Sequence, residues 1–310
     1  MEKKKRYPIG YVAARCGLTP HVIRAWERRH NAVEPFRTST NRRLYSDDDI
    51  KRLQLLKAAT EAGNSIAQIA KLDDSELIET ARTTDISFPD ASTAMPALES
   101  KPDAYFEACL SAVMVHDAQA LDSALDRAAV ALPEIALLKD IIVPLIDKIE
   151  QMRTEGLLKL FGEHMAMSVI RLFLGDMLRS AEVTPQAPKI IVATPTGQMQ
   201  EHGVLIISAV AMTMGWQPVL LGASLPAQEI SAAIVHTSAR LAALSVVHPP
   251  NDPRVNRELL KLSRLIDIPL IVGGRAAPSY AGTLEKIKAI VFDDVPELSR
   301  RLTSFLAIQF

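Results

Sequence analysis

Residues 189–216 read KIIVATPTGQMQEHGVLIISAVAMTMGW. An apolar, β-branched run ends in a Gly-bearing turn, and a second apolar run follows at once. Strand, turn, helix is the order in which α/β domains present loops to ligands, at the carboxyl ends of their strands. The alternation continues downstream, with strands expected at KIIVAT, QPVLLG, LAALSVV, PLIVGG and AIVF and helices between and after them. Residues 188–310 thus read as a five-stranded, doubly wound domain. Its ligand edge is expected in the loops at residues 196–203, 222–225, 247–251 and 273–277. The turn carries no G-x-G-x-x-G and no Gly-Lys-Ser/Thr, which argues against a dinucleotide or P-loop phosphate site.

The rest of the chain differs in character. Its 310 residues allow two or three domains. Hydrophobic residues at 48% and charged residues at 23% indicate an ordinary globular composition. No apolar run reaches the roughly 18 residues of a membrane span. The start, MEKKKRYPIG, is basic without an apolar core behind it, so no signal peptide is expected. Cys16 and Cys109 lack metal-ligand spacing, and no metal site is expected; the location expected is cytoplasmic. The formal charge of −1 conceals an asymmetry. Residues 1–45 hold eleven Lys and Arg against three Glu, net +8, and the remainder holds 24 basic against 33 acidic residues, net −9. A basic head on an acidic body suggests a polyanion-binding domain joined to something else.

In that head, PIGYVAARCGL reads as a short helix closed by Gly17. Thr19-Pro20 opens a second, with Thr as N-cap and Pro where its missing N–H costs nothing. This second helix, HVIRAWERRH, places Arg24 and Arg28 on one face. FRTSTNRRLY follows as a wing carrying Arg37, Arg42 and Arg43. Ser46 and three aspartates then cap a helix through IKRLQLLKAATEAG. Two short helices with a tight turn between them, the second rich in arginine, make a helix-turn-helix. Residues 1–80 in this order resemble the MerR family of transcription regulators. The pieces that carry the likeness are Tyr7-Pro-Ile-Gly, VIRAWERR, RTSTNRRLYSDDDIKRL and SIAQIAKL. The resemblance implies a winged helix-turn-helix with Arg24, Trp26, Arg43 and Tyr45 at the DNA. Trp26 and Leu44 stand where tyrosines are common. One such head reads a half-site, so a homo-oligomer, dimer or tetramer, is expected on double-stranded operator DNA.

Residues 81–103 collect Pro, Ser, Asp and Ala and read as a linker. Four helical patterns follow over residues 104–184, as a four-helix bundle requires. Taken alone, Glu163-His164 is a helix-start carboxylate beside a histidine.

The C-terminal domain resembles cobalamin-binding domains of flavodoxin-like fold. That family carries Asp/Glu-x-His-x-x-Gly after its first strand, then Ser-x-Leu, then Gly-Gly. Here Gln198-Met-Gln200-Glu-His202-Gly203 fills the first slot. Forty-one residues later comes Ser245-Val-Val247, and 25 more lead to Gly273-Gly274. The whole chain resembles the light-sensing, cobalamin-dependent MerR-type repressors (the CarH and LitR group). In that group a Trp, nine residues and Glu-His cover the upper face of the corrin. Here Arg153 stands at the Trp position before Glu163-His164. In the family the motif histidine ligates cobalt and the acidic residue two before it polarises the imidazole. Gln200 and Gln198 replace both, and an amide is a poor cobalt ligand beside imidazole. His202 and His248 are the nearest substitutes; a helical His202 points about 200° away from residue 200. Ser245 and Gly273-Gly274 leave room for a ligand tail, or else mark tight strand-end packing.

The expected function is a DNA-binding regulator, not an enzyme, whose sensor domain has an altered cobalamin motif. Its ligand is cobalamin held without histidine, another tetrapyrrole, or none. A corrinoid carrier for methyl transfer is the alternative, and the basic head argues against it.

Overall fold

A computed structural model describes residues 6–38, 43–82, 102–180, 186–247 and 250–307. The chain forms two compact units, residues 1–180 and 181–310. The first holds the head and the helices after it; the linker expected between them falls mostly outside the described residues.

The head starts with β1 (Tyr7–Pro8) and α1 (Ile9–Cys16). Gly17 closes α1 in the left-handed region, φ 62°, where a side chain would be strained. Then comes α2 (Pro20–His30), whose N-cap Thr19 accepts a hydrogen bond from the Val22 N–H at 3.3 Å. The wing is β2 (Phe36–Arg37) and β3 (Arg43–Tyr45), with β3 between β1 and β2 in an antiparallel sheet. Ser46 and Asp49 form a reciprocal capping box at the start of α3 (Asp47–Glu61). Two short helices, α4 (Ile66–Ile69) and α5 (Asp74–Arg82), complete the head. Its interior is filled by Ile23, Trp26, Tyr45, Leu53 and Leu56, each at 1% exposure or less.

Next come α6 (Pro102–Met114), α7 (Ala118–Ala131), α8 (Glu134–Ala136), α9 (Val143–Thr154) and α10 (Leu160–Ser180). A π-helical turn, Leu137–Ile142, joins α8 to α9 without a break. Pro144 lies just after it. A proline lacks the N–H of the ladder and crowds the preceding turn, and the wider π turn accommodates both effects. The apolar faces of α6, α7, α9 and α10 meet in a common interior with Leu121, Leu125, Leu138, Ile141, Leu145, Ile149 and Leu174.

The second unit is a parallel five-stranded sheet: β4 (Lys189–Pro195), β5 (Gln217–Leu225), β6 (Leu241–Ser245), β7 (Leu270–Gly273) and β8 (Ile290–Phe292). Its order is β5-β4-β6-β7-β8, so the order reverses beside β4. The switch point that draws ligands in such sheets therefore lies at the loop after β4. Among the described residues the strands are accompanied by α11 (His202–Thr213), α12 (Ala227–Thr237), α13 (Pro253–Leu265), α14 (Ala281–Lys286) and α15 (Val295–Ala307). One core joins Ile191, Leu244 and Val272 of the strands to Ile230, Leu259 and Leu284 of the helices.

Candidate functional site

In the head, a carboxylate organises the cations. Glu27 on α2 accepts Arg43 Nε at 2.7 Å, Arg37 Nη2 at 3.3 Å and Tyr45 Oη at 3.5 Å. Glu27 thereby ties both strands of the wing to the reading helix. Arg37 and Arg43 keep 46% and 26% of their side chains exposed and remain within reach of phosphates. Beside them Arg6 sits over the exposed ring of Phe36, 3.6 Å from its centroid, a cation–π contact. Tyr7 and Tyr11 stack at 4.6 Å, and Arg15 donates to Tyr11 Oη at 2.9 Å.

The residues expected at DNA do not all lie at the surface. Trp26 and Tyr45 are interior, at 1% and 0% exposure. Their rings support the position of α2 and β3 rather than meeting a duplex in this state. Burial, with Glu27 nearby, pushes the Tyr45 phenol well above its ordinary range. Arg24 is also buried, at 5%. Arg28 is partly exposed and pairs with Asp176 on α10 at 2.8 Å. Arg42 lies outside the described residues.

Among the middle helices, Arg153 at the end of α9 lies 2.8 Å from Glu163 near the start of α10. The guanidinium N–H does not aim at that oxygen, so the contact is an ion pair rather than a hydrogen bond. The residue at the family's Trp position thus balances the charge of the Glu-His pair. His164 is exposed. Leu157, Leu160 and Phe161 nearby are 65%, 58% and 59% exposed, a larger apolar surface than this helical end needs for its own fold. The His116 ring stacks on Phe161 at 4.6 Å.

In the second unit the turn after β4 is a closed hydrogen-bond network. Gly197, at φ 94°, makes the reversal. Its N–H donates to Ser224 Oγ at 3.1 Å, and Ser224 N–H donates to Thr194 Oγ1 at 2.7 Å. Thr194 Oγ1 in turn donates to the Gln198 carbonyl. Gln198 is 1% exposed, and its Oε1 accepts the Val247 N–H at 2.8 Å. This glutamine therefore staples the loop after β4 to the loop after β6. A carboxylate there would accept the same N–H, so the amide keeps the scaffold while losing the charge. Gln200 is half-buried beside the exposed Met199. His202 opens α11, as expected; His248 lies outside the described residues. Asp252 caps α13 through the Arg254 N–H at 2.8 Å and also pairs with the Arg254 side chain, which holds its carboxyl below the ordinary range.

The strand ends around Ser245 and Gly273-Gly274 are closely packed. A Cβ at Gly203 would lie 2.1 Å from Ser245 Oγ, and one at Gly273 would lie 2.2 Å from the Phe292 ring. A Cβ at Gly274 would lie 2.4 Å from the Val246 carbonyl. The glycines and Ser245 serve tight strand-end packing. Gly203→Ala is therefore expected to destabilise the second unit by about 1–3 kcal/mol, as overpacking does. Ser245→Gly in the same chain should restore most of the loss in thermal unfolding; no restoration would mean that the two residues do not share this contact.

A winged helix-turn-helix with ordered wing arginines, followed by helices and a doubly wound domain, is the build of a DNA-binding transcription regulator with a separate second domain. Residues 7–76 match the model of the MerR HTH family regulatory protein. The chain is 26% identical over 299 residues to the HTH-type transcriptional repressor CarH of Myxococcus xanthus, covering 96% of this chain and 98% of that one. It is 25% identical over 287 residues to the repressor CarA of the same organism, covering 91% and 89%. The solved monomethylamine corrinoid protein of Methanosarcina barkeri shares the fold at TM-score 0.51 and 14% identity, over 66% of this chain and 99% of that one. Among the described residues, no helix is long and apolar enough to cross a membrane.

The sequence did not point to Glu27, Asp122, Asp126 or Asp176. Only Glu27 left a local signal, as the lone acid within RAWERR.

Proposed function

We propose that the chain is a repressor that binds operator DNA as a homo-oligomer through α2 and the wing, and that its second domain does not hold a histidine-ligated corrinoid. The observation that carries the DNA part is the Glu27 hub, which presents Arg37 and Arg43 from a fixed wing. Preorganised arginines suit phosphate recognition because little side-chain freedom is lost on contact. Arg42 is proposed to add a third wing cation. Repression rests on the likeness to CarH and CarA.

For the second domain, the residues do not fit a corrin bound as the family binds it. Gln200 brings an amide where an imidazole is needed, Gln198 is committed to Val247, and Phe292 covers Gly273. Arg153, paired with Glu163, replaces the aromatic lid. The exposed Leu157, Leu160 and Phe161 support a cap-type bundle that still covers something apolar, a cobalamin without histidine, another tetrapyrrole or a protein surface. A corrinoid carrier is not favoured, since both the cobalt ligand and its polarising acid are missing.

Two readouts test this. The purified chain, incubated with cobalamin and reduced to the cobalt(II) form, should show no nitrogen splitting from a protein imidazole by electron paramagnetic resonance. Its size on a sizing column should be the same in darkness and under green light, with or without adenosylcobalamin. Imidazole splitting, or a dark-only tetramer that dissociates on illumination, would overturn this reading of the second domain.

A further inference from the structure

The face of α2 expected to meet DNA is covered. His21, Arg24 and Arg28 stand three and four apart along one stripe, and α10 packs against α2. His21 is 5% exposed and meets the Phe173 ring edge-on at 5.8 Å. Arg24 is equally buried, and Arg28 reaches Asp176 at 2.8 Å. Next to it Arg29 enters a cluster of carboxylates. Its Nε donates to Asp176 Oδ2 at 2.5 Å, and its Nη1 lies 3.2 Å from Asp122 Oδ1 and 3.5 Å from Asp126 Oδ1. Farther along the same contact, Ser65 of the head and Ser123 of α7 share a hydrogen bond of 2.9 Å.

These acids belong to α7 and α10, not to the head. Asp176 meets the guanidinium groups as a phosphate would, through short charge-assisted bonds, and Asp122 and Asp126 add charge at 3.2 and 3.5 Å. A guanidinium held by two or three carboxylates offers little to a duplex, and a helix packed on α10 cannot enter a major groove. Burial drives the His21 pKa down to about 4, so the ring stays neutral at pH 7 and packs on Phe173 without a charge to solvate.

We propose that Asp122 and Asp176, with Asp126 beside them, form an internal substitute for DNA phosphate that holds the reading helix against α10, so that operator binding requires the head to leave this ledge. The proposal rests on the DNA-reading role given to α2 above. It makes the regulator autoinhibited within one chain. Whatever moves the middle helices, a ligand or assembly of the oligomer, would then set the fraction of heads free to bind.

The test uses the full chain and a short duplex that the wild type selects from a randomised pool. Asp176→Asn removes the carboxylate shared by Arg28, Arg29 and Arg179. It should tighten duplex binding about tenfold, the scale of one charge-assisted hydrogen bond. Equal or weaker binding by a folded Asp176→Asn chain would overturn the latch while leaving the DNA-reading role intact. Should that variant fail to fold, hydrogen exchange on the wild type decides. Saturating duplex should speed exchange in residues 170–177 of α10 and slow it in α2. Exchange in α10 that is unchanged or slowed would show that the head reads DNA while docked, which also overturns the latch. Failure of the wild type to bind any duplex would remove the latch and the DNA-reading role together.

Discussion

Replacing Arg37 and Arg43 together by Ala is expected to weaken duplex binding at least about a hundredfold at low salt, and to make the affinity less sensitive to salt. Each arginine on a phosphate releases about one condensed counterion, so log affinity falls with log salt by about 0.9 per contact. Losing two contacts should flatten that slope by about 1.8. Glu27→Gln distinguishes charge from scaffold. It leaves both arginines in place but removes the carboxylate that accepts Arg43 Nε at 2.7 Å and Arg37 Nη2 at 3.3 Å. The wing should then lose order, and affinity should drop while the salt slope stays near that of the wild type. Filter binding or fluorescence anisotropy over a salt series gives both quantities. An unchanged affinity for the double Ala variant would remove the wing from the DNA interface.

The parts of the molecule that were legible in sequence are those decided locally. Thr19, Pro20, Gly17 and the Ser46/Asp49 box act within four residues of themselves, and all sit at the helix ends they announce. The five strands of the second unit are short β-branched runs between turns, and each appears where its run lies. The family likeness implies Trp26 at the DNA, whereas the helical wheel turns it inward. Residues 22 and 26 share one face, and Val22 is a core residue at 2% exposure, so Trp26 follows it inward. Arg24 and Arg28 share another face of α2, and there Arg28 meets Asp176 of α10. Nothing periodic signals that contact: Arg29 and Asp176 are 147 residues apart, and their meeting depends on tertiary packing alone. The same holds for Gln198, whose partner Val247 lies 49 residues on. Read chemically, Gln198 was a lost polarising acid. The fold shows that this position also carries a structural bond, which an amide preserves.

Asp126→Asn is expected to stabilise the first unit at pH 8 by up to about 4 kcal/mol, with the gain disappearing towards pH 4. Asp126 is 6% exposed. Burial is the main cause that raises its carboxyl to about 7; Arg29 opposes the rise, and Asp122 and Asp176 add to it. In the unfolded chain the same group titrates near its ordinary value, about 3.9. Between these two values the folded chain holds a proton that the unfolded chain has released. Stability contributed by this group therefore falls as pH rises from about 4 to 7, and at pH 8 the full cost of a buried carboxylate is present. Asn keeps the shape, never ionises and leaves Arg29 its bonds to Asp122 and Asp176, so it avoids that cost without orphaning the guanidinium. The buried His21 titrates in the opposite sense, its pKa lying below the ordinary value. It is present in both chains, so it cancels in their difference. Urea unfolding followed across pH 4–8 measures the gap. A gap that does not change with pH would mean that Asp126 is not the titrating group. A variant less stable than the wild type at pH 8 would mean that the ionised Asp126 is a net stabilising partner of Arg29. The latch would then rest on three working carboxylates rather than on Asp122 and Asp176 alone.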